Sequence, residues 1–335
     1  MINTGDVLIA LCVLLLALVI DLVFGDPSPN MPWKIRYKLH PTVWMGKLTR
    51  SLEIRLRNPN PKIEKLDGVI LALIVITTFT LPTYFLLELI KTYFGIIVYI
   101  IVAALLLKSA ICVKLETEWA IAASEAIKAN DLKEARKYAH FSRRDPTSLT
   151  GSQIASSVVE SMAENLTDFK LSPLLYYALF GVPGVIAFRA INTLDGMVGF
   201  KDPIHINIGW FSAKLDTLAN YIPARLTTLL IVVAAAILGE DHKNAWIIAC
   251  RDQAKVPSIN HGWLMAAMAG ALNVQLEKPG YYVIGDKKNE LSYEHILKAL
   301  KIRNTVMVLF LVLICFPLML LSNFVFGFIF NVTPF

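Results

Sequence analysis

The sequence predicts an all-α, polytopic helical membrane protein. Of its 335 residues, 56% are hydrophobic and 17% charged, against about a quarter charged in soluble domains. The mean hydropathy is +0.56. The apolar residues gather into runs near the ~20 residues that cross ~30 Å of hydrocarbon at 1.5 Å per residue, and basic residues sit in blocks between those runs. These features exclude disorder, a collagen-like chain and a nucleic-acid partner. The formal charge of +6 is modest, and its blocks follow membrane topology rather than a binding groove.

Four spans are expected at 7–24, 69–87, 95–113 and 305–330, inside a single membrane-embedded catalytic unit covering 1–335. The opening MINTGD has no positive leader, so the first run reads as a retained anchor. Segment 171–187 is interrupted by Pro173, Gly181, Pro183 and Gly184, which predicts a broken or re-entrant helix. Segment 218–238 reaches membrane length only with Pro223 and Arg225 included. The region 25–66 carries nine Lys/Arg against three acids, 114–170 carries eight Lys/Arg, and 239–304 carries nine. The basic bias places all three in the cytoplasm of a multi-pass cell-membrane protein. The two interrupted segments then both cross or both fail to cross. The second alternative, preferred here, leaves 189–217 cytoplasmic at the mouth of a cavity, with the active site facing the cytoplasm. Within 114–170, residues Glu116–Ala139 predict two short amphipathic helices meeting at Asn130–Asp131.

Common nucleotide and hydrolase signatures are missing. Gly46-Lys47-Leu48-Thr49 ends like a phosphate loop, but Pro41 stands where the leading glycine belongs. Cys12, Cys112, Cys250 and Cys315 form no C-x-x-C pair.

The strongest chemical pattern is Glu160-x-x-x-Glu164-Asn165-x-x-Asp168. Carboxylates at i, i+4 and i+8 share one helix face. Like charges there repel by a few tenths of a kcal/mol per pair, so the ridge suits a cation such as Mg²⁺, which prefers carboxylate, amide and phosphate oxygens. A solvated acidic face is the plainer reading. A second constellation is Arg189-x-x-Asn192-x-x-Asp195 followed by Asp216-x-x-x-Asn220 and Arg225. Ionisable groups beside membrane helices are costly and mark functional candidates, although an ion-pair network pinning two helices would look the same. Arg143-Arg144-Asp145 could fork a phosphate, or serve the positive-inside bias. Asp26 and His40 lie just past the first span. Asn260-His261-Gly262-Trp263 leads into a Gly/Ala run that admits either a neighbouring helix or a large flat ligand.

Taken in order, DLVFGDP (21–27), HPTVWMG (40–46), RRDPTSL (143–149), ESMAEN (160–165), SPLLYY (172–177), GVPG (181–184), FRAINTLDGM (188–197), NYIPARLT (220–227) and NHGWLMAAMAGAL (260–272) resemble the cobalamin-biosynthesis family that makes adenosylcobinamide phosphate. The resemblance implies ATP- and Mg²⁺-dependent amide formation between adenosylcobyric acid, a corrinoid, and aminopropanol phosphate or a related amino alcohol. Set beside that reaction, Glu160, Glu164, Asn165 and Asp168 are the metal candidates. Arg189, Lys214 and Arg225 would stabilise charge on the transferring phosphate, and Asp195 or Asp216 would accept the amine's proton. Arg143, Arg144 and Asp145 would take the amino alcohol phosphate. Asn192, Asn220, Asn260, Trp263, His40 and Asp26 complete the binding set. Small-residue helix faces permit a homodimer. The chain departs from the family pattern at Lys214, where Arg is expected, at Thr217 for an acid, at Leu264 for Pro and at His261 for Ser or Ala.

Two other classes share features. Intramembrane prenyltransferases hold Mg²⁺-diphosphate with Asn/Asp pairs resembling Asn192/Asp195 and Asp216/Asn220, but lack an acidic ridge ahead of them. A non-catalytic membrane sensor would keep the fold and lose these ligands.

Overall fold

The computed structural model describes residues 4–27, 34–142, 145–330 and 334–335. In chain order the helices are α1 (Thr4–Phe24), α2 (Lys34–Leu39), α3 (Pro41–Arg55), α4 (Pro61–Tyr93), α5 (Ile96–Lys108), α6 (Lys114–Lys128), α7 (Leu132–Ala135) and α8 (Gly151–Leu166). They continue with α9 (Ser172–Val198), α10 (Trp210–Ala219), α11 (Tyr221–Ile237), α12 (His242–Asp252) and α13 (His261–Leu272). A short antiparallel hairpin, β1 (Leu276–Lys278) and β2 (Tyr282–Ile284), precedes α14 (Tyr293–Phe310) and α15 (Phe316–Phe330). The protein is a polytopic helical membrane protein. Among the described residues, the helical runs long and apolar enough to cross are Thr4–Phe24, Pro61–Tyr93, Gly151–Val198 and Tyr293–Ile329, with α10 and α11 qualifying together as a bent pair.

The chain divides into two compact units: Met1–Cys112, Ser172–Ala219 and Cys315–Phe335 form one, and Val113–Leu171 with Asn220–Ile314 form the other. In the first, α1 packs on α5 and α15, and α4 packs on α9, α3, α5 and α10. Helix α1 buries Val7, Ala10, Val13, Leu14 and Ala17 while exposing Leu8, Leu15, Val19 and Leu22. Both faces are apolar, which suits protein on one side and lipid on the other. Polar side chains stitch the interior: Tyr177 donates to the Ala10 carbonyl at 2.8 Å and Ser322 to the Ala178 carbonyl at 2.6 Å. The expected break in 171–187 lies at Gly181, whose φ of 63° interrupts α9. The Pro334 carbonyl packs where a Cβ on Gly181 would sit.

Segment 95–113 folds differently from its expected span. Its helix covers only Ile96–Lys108, 13 residues, or ~20 Å of rise. The chain leaves the helix after Lys108, whose ammonium pairs with Asp21 and Asp26, and turns through Ser109–Ile111.

In the second unit α14 packs on α6, α8 and α11, while α13 lies between α12, α11 and α8. The two short helices expected over Glu116–Ala139 are present as α6 and α7, meeting where Asn130 takes φ 57°. Helix α8 opens on a reciprocal cap between Thr150 and Gln153. One π-helical turn, Thr167–Leu171, follows it directly.

Candidate functional site

The first unit assembles much of the second constellation. Arg189 NH1 donates to Asn192 Oδ1 at 2.9 Å, and Asn192 Nδ2 donates to Asp216 Oδ1 at 3.3 Å. The first two residues lie one turn apart on α9, and the third arrives on α10. Arg189 and Asp216 are both buried. Close by, Tyr176 of α9 donates to the Ala219 carbonyl at the end of α10 at 3.1 Å, and its ring stacks on Phe188 at 5.1 Å. Asp195 lies at the end of α9, folded over Gly199, where a Cβ would strike its carboxylate. Lys214 is exposed. Two residues along a helix turn the side chain roughly 200° away, so α10 does not bring Lys214 to the Asp216 face.

Asp26 and His40 also meet in this unit. His40 Nε2 lies 4.0 Å from Asp26 Oδ1, and His40 Nδ1 is 2.7 Å from Thr42 Oγ1. Asp26 pairs with Lys108, which reaches the buried Asp21 at 3.3 Å. Burial pushes the His40 imidazole down to about 4; Asp26 opposes the fall, and Arg189 and Lys108 add to it. His40 is therefore neutral at physiological pH.

The second unit holds the acidic ridge, and its members have separate surroundings. Glu160 accepts from Ser156 and, at 2.6 Å, from Tyr282 of β2. The Ser156 hydroxyl also accepts from the Glu277 amide at 2.8 Å, so Glu160 helps dock the hairpin on α8. Asn165 donates to Glu116 at 2.9 Å. Asp168 lies on the π-helical turn, 3.3 Å from His261 Nε2, and accepts from Asn220 at 3.4 Å. Glu164 is half-buried. Asn220 and Asp216, read in the sequence as one face, therefore serve different partners.

Beneath the ridge lies a charge cluster built on two fully buried cations. Glu116 accepts from Lys170 at 2.7 Å and from Arg303 at 2.8 Å, while Arg303 also donates to Thr117 at 2.7 Å. Lys170 and Arg303 are 0% and 1% exposed. Burial alone would raise the Glu116 carboxyl, but the two cations hold it below the usual carboxylate range. This cluster joins α6, the π-helical turn and α14, and fixes Asn165.

Arg225 stacks its guanidinium on Tyr221, 3.7 Å from the ring centroid, and donates to Asn260, to the Tyr221 carbonyl at 3.1 Å and to the Ile259 carbonyl at 3.4 Å. Trp263 lies 5.9 Å from the same guanidinium and 6.4 Å from Trp246. The Gly/Ala run of α13 serves helix packing: a Cβ on Gly270 would lie 2.5 Å from the Asn244 carbonyl. Asp145 is exposed and accepts from the Thr147 amide at 3.0 Å and its hydroxyl at 2.7 Å. Arg143 and Arg144 lie outside the described residues.

Among the described residues, no three His, Cys, Asp or Glu side chains gather as a ready-made metal cage. Nucleotide-bound Mg²⁺ does not require one; it takes one or two carboxylates, waters and phosphate oxygens. Glu164 fits that demand; Glu160 and Asn165 are engaged with protein partners, and Asp168 already meets His261 and Asn220.

Sequence reasoning missed Lys108, Glu116, Lys170 and Arg303, and took His261 only as a departure from the family pattern. Lys108, Lys170 and Arg303 were legible in principle as lone cations bordering apolar helices, which need partners. Nothing in the spacing singled out Glu116.

A family model described as CobD/Cbib protein matches residues 14–309. The chain is 39% identical over 299 residues to a probable cobalamin biosynthesis protein CobD of Methanothermobacter thermautotrophicus, covering 89% of this chain and 94% of that one. It is 38% identical over 279 residues to the cobalamin biosynthesis protein CobD of Dehalococcoides mccartyi, covering 82% and 87%. A probable CobD of Thermoplasma acidophilum is 32% identical over 314 residues, covering 93% and 98%. No solved structure matches the chain.

Proposed function

The chain belongs to the CobD/Cbib family, and on that premise we propose that it is a membrane enzyme of cobalamin biosynthesis that forms an amide between adenosylcobyric acid and aminopropanol phosphate, or a related amino alcohol, driven by ATP with Mg²⁺. The observation that carries this reading is the family match over residues 14–309. The Arg189–Asn192–Asp216 line adds a buried cation and carboxylate held by hydrogen bonds.

A carboxylate does not react with an amine directly. In the proposed reaction its oxygen attacks the γ-phosphorus of ATP and ADP leaves; the amine then displaces phosphate from the acyl carbon. The amine arrives as an ammonium and must shed protons, and Asp216 is the proposed acceptor, oriented by Asn192. Arg189 would stabilise negative charge on the transferring phosphoryl group. Glu164 would hold Mg²⁺, which when bound neutralises phosphate oxygens. His40, being neutral, would hydrogen-bond a substrate without adding charge. The proposed location is the cell membrane with the reacting groups on the cytoplasmic side, from the basic blocks in 25–66, 114–170 and 239–304.

Purified protein supplied with ATP, Mg²⁺, adenosylcobyric acid and either aminopropanol phosphate or aminoethanol phosphate tests the reading. The expected result is ADP release that requires both the corrinoid and the amine, with one amide per ADP. ADP release indifferent to the corrinoid would sink the ligase. A homodimer remains a proposal, to be read from the mass of the detergent-solubilised protein.

A further inference from the structure

Helix α12 is not among the runs long enough to cross a membrane, yet its outward face is built for one. Its exposed side chains are His242, Lys243, Trp246, Ile247, Cys250 and Arg251. All are basic or apolar. The acids around the helix are paired: Glu240 meets Lys298 at 3.0 Å, Asp241 caps the helix start by accepting from the Asn244 amide at 2.9 Å, Asp252 is buried between Arg251 and Lys255, and Asp286 holds Arg251 at 2.9 Å. Trp246 and Ile247 are 44% and 58% exposed.

The patch extends beyond α12. Trp246 meets Trp263, Trp263 lies beside Arg225, and Arg225 stacks on Tyr221 at the start of α11. Tyr221 is exposed, and so is Ile259, whose carbonyl accepts from Arg225. Along α11 the outward side chains include Ile222, Leu229, Val233 and Ile237, an apolar stripe at helical spacing on a helix already read as half of a bent span. Aromatic rings mixed with Arg and Lys, continuous with an apolar stripe, are the composition found where protein meets lipid headgroups. Arg251 is held by Asp252 and Asp286, which leaves Lys243 on this face to complement an anionic lipid surface.

We propose that the Trp246–Ile247–Cys250 face of α12, continued through Trp263 and Arg225 to Tyr221, rests on the bilayer at the boundary between headgroups and acyl chains. Arg225 then serves as an interfacial anchor, its carbon stem along the rings and its donors on Asn260 and backbone carbonyls.

The full chain, reconstituted in phosphatidylcholine–phosphatidylglycerol vesicles with and without brominated acyl chains, tests this. The emission lost on Trp246→Phe reports Trp246 alone. Bromine is expected to quench that difference signal by roughly half or more, and aqueous iodide to quench it little. A signal indifferent to bromine but quenched by iodide would overturn the proposal. So would a Cys250–Cys250 disulfide between copies in the membrane, which would assign the face to a second chain. If Trp246→Phe does not fold, a bimane on Cys250 in the Cys12→Ser, Cys112→Ser protein reads the same face with the same two quenchers.

Discussion

Asn192 Nδ2 donates to Asp216 Oδ1 at 3.3 Å while its Oδ1 accepts from Arg189 at 2.9 Å. One amide therefore fixes both a guanidinium and a carboxylate from different helices. Asp216→Asn keeps the shape and removes the proton acceptor, so amide formation should fall ~100-fold or more with little change in thermal midpoint. Arg189→Lys keeps the charge and loses the planar fork, and should cost about 10-fold. Coupled ADP and amide measurements on each variant check both.

The acidic ridge should separate by role. Glu164→Gln is expected to raise the Mg²⁺ concentration for half-maximal rate about 10-fold, because a carboxylate is replaced by a weaker neutral ligand. Glu160→Gln should act on stability instead, by about 1 kcal/mol, since it weakens the bonds from Ser156 and Tyr282. Magnesium titrations and denaturation in detergent distinguish the two. Equal effects on the metal dependence would defeat the division.

Removing Glu116 leaves Lys170 and Arg303 buried without their shared anion. Glu116→Ala should therefore destabilise the protein by ~3–5 kcal/mol. Thermal unfolding of the purified protein measures it, and a shift of a degree or two would show that the cluster is unimportant to stability.

His40 links stability to pH. Its unfolded value is 6.5 and its folded value about 4, so between these the unfolded chain binds more protons and stability rises with pH. The contribution is fully present above pH 6.5 and is lost as pH falls through about 4, for a total of about 3 kcal/mol. His40→Gln should flatten the stability profile across this window, as read from unfolding at a series of pH values.

Gly270 allows α13 to approach α12 closely. A side chain there would press on the Asn244 carbonyl, so Gly270→Val should cost ~1–3 kcal/mol or more through overpacking. The thermal midpoint reports it directly.

Legibility followed the physics of each pattern. The long spans could be read because apolar length is a property of consecutive residues, and α1 and α4 match their runs. The 13 residues of α5 could not, since the apolar run continues past Lys108 while the helix stops there, and Lys108 pairs with Asp21 and Asp26 more than eighty positions away. The Arg189–Asn192 bond was legible as i,i+3 spacing on one helix. The split of Asp216 and Asn220 between different partners was not, because the helix breaks between them at Asn220.

By itself the sequence determined the membrane class, the interruption of segment 171–187, the grouping of Arg189 with Asn192, and the family signature, all of which are local or compositional. Only the tertiary structure decided that Glu160 docks a hairpin, that His261 joins Asp168, that Lys214 faces away, and that Glu116, Lys170 and Arg303 share one buried site. The reason is physical. A charged side chain is assigned its role by whichever opposite charge or hydrogen-bond partner burial brings within about 3 Å, and that partner is chosen by helix packing, not by distance along the chain.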